Sequence, residues 1–98
     1  MIRVVYHWRV DPEHFAAFRE TWTETTNRIH DTVPGALGSF LMRSVEDPTD
    51  VQTVAKWVSL DAWRAFFEGE NPHQMTGMRE LGERTSVVAY DEIGDQTR

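Results

Sequence analysis

The sequence predicts an α+β domain: a four-stranded antiparallel sheet with helices on one face, in the order β-α-β-β-α-β. Two observations lead there. Apolar residues alternate with a period of two in four stretches rich in β-branched and aromatic side chains. Between them, apolar residues recur at spacings of three and four, the period of a helix laid on a core. A chain of 98 residues holds one such core, so residues 1–94 are read as one domain and residues 95–98 as a tail.

Met1 to Val10 forms the first strand, with Ile2, Val4, Tyr6, Trp8 and Val10 on one face and Val5 and His7 on the other. A helix then starts at Asp11-Pro12-Glu13. Asp11 can accept from free backbone N–H groups, Pro12 suits the first helical position, and Glu13 complements the dipole. Its stripe of Phe15, Phe18, Trp22, Thr25 and Ile29 faces the sheet, and the helix stops before Val33-Pro34-Gly35. Ala36 to Val45 and Val51 to Ser59 make a β-hairpin about the polar turn Glu46 to Asp50. Ser59 or Asp61 caps a short aromatic helix carrying Ala62, Trp63, Phe66 and Phe67, which Gly69 ends. Asn71-Pro72 opens a third helix with Met75, Met78 and Leu81 on one side, closed by Gly82. Thr85 to Ile93 is the last strand. This is the split β-α-β arrangement of a ferredoxin-like sandwich.

Helices on one side leave the other sheet face bare, yet the strands are apolar on both. Val5 opposes Val4 and Tyr6, Val54 and Val58 oppose Ala55 and Trp57, and Val87 opposes Val88. Such a face needs a cover, and a second copy packed sheet to sheet supplies it, so a homodimer is expected.

Composition narrows the chemistry. There is no cysteine, which removes disulfides, thiolate nucleophiles and Cys-ligated metal sites. A net charge of −6 is the wrong sign for a nucleic-acid backbone or an anionic membrane. No apolar run reaches the roughly 20 residues of a membrane span, and Met1 to Val10 lacks the features of a signal peptide, which makes the cytoplasm the expected location. No His pair with ligand spacing, HExxH, GxGxxG or P-loop is present, so no metal, flavin or nucleotide cofactor is expected.

The opening RVVYHWRVDPEHFAAF, the Pro34-Gly35 pair, and above all VAKWVSLDAWRAFFEGENPHQ carry a resemblance to the antibiotic biosynthesis monooxygenase (ABM) family, from Met1 to about Ile93. The shared pattern is a strand Trp followed by Ser, an acidic residue, Ala, an aromatic residue and a later Pro-His. The resemblance implies a dimeric α+β barrel. It also implies cofactor-free oxidation of phenolic or anthrone-like polyketides to quinones by molecular oxygen. It puts Trp57 at a pocket tryptophan position and His73 at the Pro-His. Two departures stand out. The quinone-forming relatives carry an asparagine where this chain has Thr53, and the Asn, Trp and His set of the haem-degrading branch falls on His7, Phe66 and Thr76, which argues against haem degradation.

Cofactor-free oxygenation needs a base to make an electron-rich substrate anion, inside a dry aromatic pocket. His7 and His73, flanked by apolar or aromatic residues, are the candidate bases, while His14 and His30 fall on or near the polar side of the first helix. Trp57, Trp63 and Phe66 with Met75 and Met78 converge from a strand and two short helices and are candidate pocket walls. Arg43, a charge in an apolar strand, is a candidate for holding a phenolate or carboxylate. The plainer alternatives are surface histidines, an aromatic core and an edge arginine. The functional expectation is a homodimeric oxygenase acting on a small aromatic or quinol-like substrate. A non-catalytic module binding a hydrophobic metabolite, and a cyclase-like or isomerase role, are the alternatives.

Overall fold

The computed structural model describes residues 1–69 and 75–97. Strand β1 spans Ile2–Arg9, helix α1 Phe15–Thr32, β2 Ala36–Arg43, β3 Asp50–Trp57, α2 Leu60–Glu68, α3 Thr76–Leu81 and β4 Glu83–Asp91. The four strands form one antiparallel sheet in the order β2-β3-β1-β4, as the ferredoxin-like reading requires.

Local chemistry explains the boundaries. Asp11 accepts from the Glu13 N–H at 3.1 Å, but Pro12–His14 form a single 3-10 turn before α1 proper begins at Phe15. Ser59 is the cap of α2, its hydroxyl accepting from the Ala62 N–H at 3.1 Å. The β2–β3 turn is held by Asp47, whose carboxylate accepts from both the Thr49 N–H and hydroxyl. Gly35 turns the chain into β2 with φ +87°, and a Cβ there would lie 2.7 Å from the Ala62 Cβ, so only glycine fits. Strand ends differ from expectation by one or two residues: β1 loses Met1 and Val10, and β3 runs from Asp50 to Trp57 rather than Val51 to Ser59. β2 stops at Arg43 because the turn engages Ser44 onward. β4 starts earlier, at Glu83, because it pairs with Arg9, and it stops at Asp91, opposite Ile2 at the start of β1. The predicted start of the third helix, Asn71-Pro72, lies outside the described residues.

Alternation along the central strands sorts side chains onto two faces. Val4, Tyr6 and Trp8 of β1 and Val51, Thr53 and Trp57 of β3 are buried on the helix-covered face with Phe18 of α1. The α1 stripe behaves as its spacing predicts, with Phe18 and Thr25 buried and Phe15, Trp22 and Ile29 partly so. On the other face the paired row Phe40, Val54, Val5 and Val88 runs across all four strands. Phe40, Met42, Val88 and Tyr90 are 42–54% exposed there.

Candidate functional site

A cleft lies between the covered sheet face and α1, with α2 and α3 at its end. About 470 Å³ of space lies within it, the open solvent at its mouth included. Tyr6, Thr53 and Trp57 form its floor, and Trp22, Thr25, Ile29 and His30 descend from α1. Phe66, Met75 and Met78 complete the apolar wall. Gly38 and Ser39, where the β2–β3 register shifts, also line it.

The fold brings these residues together by ordinary rules. Tyr6 and Thr53 are register partners on neighbouring strands, both pointing to the covered face. Residues 22, 25, 26 and 29 share one side of α1 through the spacing of three and four. Trp57 and Phe66 meet with ring centroids 5.3 Å apart at 35°.

Tyr6, Thr25, Thr26, His30, Ser39, Thr53 and Lys56 are the polar members of this lining, beside the indoles of Trp22 and Trp57. The Trp63 indole N–H donates to the Tyr6 hydroxyl oxygen at 3.1 Å, and the Trp8 indole N–H donates to Thr53 Oγ1 at 3.1 Å. Burial pushes the Tyr6 phenol above its ordinary value; the Trp63 bond and the nearby Arg84 charge pull it part of the way back. Tyr6 is therefore protonated at neutral pH, with an O–H to donate. The Arg84 guanidinium lies over the Tyr6 ring at 5.9 Å and the Phe67 ring at 5.5 Å. Burial, with Arg79 adding to it, lowers the Arg84 pKa, but an arginine stays charged in water at neutral pH. The Trp22 Nε1–H is buried and has no hydrogen-bond partner among the described residues.

The sequence-predicted residues do not all meet at one place. Trp57, Phe66 and Met75 line the cleft. Trp63 stands one layer behind, stacked on Phe67 at 5.0 Å while it holds Tyr6. His7 does not line the cleft: alternation turns it to the open face, where its Nε2 is 2.9 Å from Gln52 Nε2 and 3.6 Å from Asp50 Oδ1. Arg43 is also elsewhere, its guanidinium 4.2 Å from the centroid of the Phe15 ring. His73 lies outside the described residues. The histidine that does line the cleft is His30, expected near the polar side of α1; its Nδ1 is 3.6 Å from Asp31 Oδ1. Tyr6 and Trp22 in the lining, and Arg84 beside Tyr6, are functional candidates that the sequence alone does not mark. For Tyr6 a signal existed in its alternation with Trp8, whereas Trp22 was absorbed into the core stripe.

Among the described residues no group of three or more His, Asp or Glu side chains could hold a metal ion. Nor, among them, is any helix long and apolar enough to cross a membrane.

Comparison with known proteins agrees with this architecture. The sequence model of the antibiotic biosynthesis monooxygenase family matches residues 1–76. SnoaB, a cofactor-independent oxygenase from Streptomyces nogalater, superposes with a TM-score of 0.77 at 19% identity, covering 99% of this chain and 97% of its own. A presumed antibiotic biosynthesis monooxygenase from Caulobacter crescentus gives 0.77 at 20% identity, with 95% and 90% covered. One from Deinococcus radiodurans gives 0.74 at 17% identity, with 100% and 97% covered. At these identities the superpositions establish the fold. No curated protein matches the sequence.

Proposed function

The chain belongs to the antibiotic biosynthesis monooxygenase family, and from that premise we propose that it oxidises a small aromatic, quinol-like or anthrone-like substrate with molecular oxygen, without a cofactor. The observation that carries this reading is the cleft itself: an aromatic and thioether-lined slot, with a neutral phenol on its floor and a histidine on its wall. In this reaction a base removes a proton from a ring CH2 or phenol, and the resulting anion passes an electron to oxygen. For an anthrone-like CH2, one oxygen atom ends as the new carbonyl, and the other leaves as water with the two hydrogens. Trp57, Phe66 and Met75 stack against the rings, backed by Trp63. His73, at the position the family resemblance implies, and His30, which lines the cleft, are the two candidate bases.

The open sheet face is the proposed seat of a second copy, which would make the working unit a homodimer. SnoaB, with the same fold, is a cofactor-independent oxygenase, which lends the reading support. A second reading, a non-catalytic binding module, draws on Thr53: its hydroxyl already holds Trp8, so it does not replace the asparagine of the quinone-forming relatives.

Oxygen uptake and quinone absorbance with an anthrone and dihydroxyanthracene panel test the reading, run beside His30→Ala, His73→Ala and His7→Ala. Turnover abolished by one of the first two and retained in the third is expected. No uptake above the buffer blank by a folded protein would leave the binding module. Isomerised product without oxygen uptake would leave an isomerase.

A further inference from the structure

We propose that Tyr6 and Trp22 are paired hydrogen-bond donors that seat a ligand oxygen in the cleft, so that it selects flat aromatic ligands bearing a carbonyl, enolate or phenolate oxygen over hydrocarbons of the same outline. The inference rests on the cleft being the ligand site and deepens that reading by naming what the ligand must carry.

The argument is one of unmet protons. The Tyr6 oxygen already accepts from the Trp63 indole, and no described residue accepts its own hydroxyl proton. An indole has one N–H and no acceptor, and that of Trp22 is buried without a partner among the described residues. Both side chains line the same cleft, one from the sheet and one from α1, and most of the remaining wall is ring, thioether and aliphatic carbon. Buried groups of this kind are normally paired, and an exception marks a place where a partner is supplied from outside. A ligand acceptor would meet such protons, whereas a hydrocarbon would seal them further from water. The Trp22 N–H is covered in the structure. Met75 and Met78, unbranched and adaptable, are the part of the wall that yields when a ring enters.

Fluorenone and fluorene separate this idea from simple apolar binding, because they share an outline and differ in one carbonyl. Anaerobic calorimetric titration of the protein is expected to show fluorenone bound at least tenfold tighter. Tyr6→Phe and Trp22→Phe should each lower that ratio by about tenfold, equivalent to about 1.4 kcal/mol, with fluorene affinity little changed. Should Trp22→Phe fail to fold, Tyr6→Phe reads the same ratio alone. Equal affinity for the two ligands in the unaltered protein overturns the proposal, as does a ratio unmoved by both substitutions or no binding of either ligand. Neither ligand needs to turn over, so the two readings fail separately. A carbonyl preference without oxygen uptake retires the oxygenase and leaves the donors standing; oxygen uptake without a carbonyl preference does the reverse.

Discussion

The two faces of this sheet are built from alternate residues of the same strands, and they have opposite characters. On the covered face Val4, Tyr6 and Trp8 are at most 3% exposed, and the indole N–H groups of Trp8 and Trp63 find their acceptors in the Thr53 and Tyr6 hydroxyl oxygens. On the open face Val5 and Val54 sit between charged or polar rows: Arg3 and Lys56 on one side, His7 and Gln52 on the other. Large apolar side chains at the margins, Phe40, Met42 and Tyr90, stay half-exposed. The covered face is thus arranged as core and cleft together, and the open face as a surface suited to association. One strand can serve both because its side chains alternate with a period of two.

The sharpest contrast is energetic. Trp8→Ala empties a site packed edge-on against Phe18 at 5.2 Å and leaves Thr53 without its donor. It should cost about 3–5 kcal/mol in urea unfolding, while Val88→Ala on the open face should stay within about 0.5 kcal/mol for the monomer. Comparable losses at the two sites would erase the distinction. Gly35→Ala should cost about 1–3 kcal/mol, because a side chain there meets Ala62 and Val58 in a left-handed backbone conformation.

A smaller effect appears at high pH and belongs to the covered face alone. The folded-state pKa of Tyr6 is raised above its ordinary value of 10.0, so the folded protein holds that proton more tightly than the unfolded chain. The contribution is fully present below pH 10 and is lost as pH rises through the folded-state pKa, by about 1.4 kcal/mol per unit in that window. Urea melts from pH 9 upward should show this slope, and Tyr6→Phe should remove it, whereas Tyr90→Phe on the open face should not. Least costly to the fold is Val88→Lys, at a half-exposed position of the open face, which should leave far-UV circular dichroism unchanged while lowering the light-scattering mass from twice the 11.4 kDa chain to once that value. A wild-type mass of one chain at micromolar concentration would remove the dimer from the account.

Much of this division was legible in the sequence. The period-two pattern of residues 1 to 10 put Tyr6 and Trp8 on one face and His7 on the other, and the structure keeps that assignment. The α1 stripe was also readable, since it follows from spacing within one element, and the convergence of Trp57, Phe66 and Met75 was readable from the order of elements, which brings a strand end and two helices together. What periodicity cannot supply is register between elements. The Tyr6–Thr53 pairing and the 57-residue separation of the Trp63–Tyr6 bond come from strand pairing and helix placement. Spacing alone puts His30 near the polar side of α1 for a related reason: it sits at the edge of the stripe, and only the position of the cleft mouth decides which side it serves. A cation in an apolar strand, Arg43, read as a ligand-holding charge, whereas the structure places it against Phe15.

The central claim is that ligand chemistry belongs to the covered face. Nitrogen-edited NMR of the four indole N–H and the backbone amides, recorded while fluorenone is added, tests it most directly. The account predicts that the Trp22 and Trp63 indole resonances move together with the amides of Thr25, Ser39 and Thr53, while those of His7, Gln52 and Val88 hold still. Shifts concentrated on His7, Gln52 and Val88, with the Trp22 indole unmoved, would contradict it.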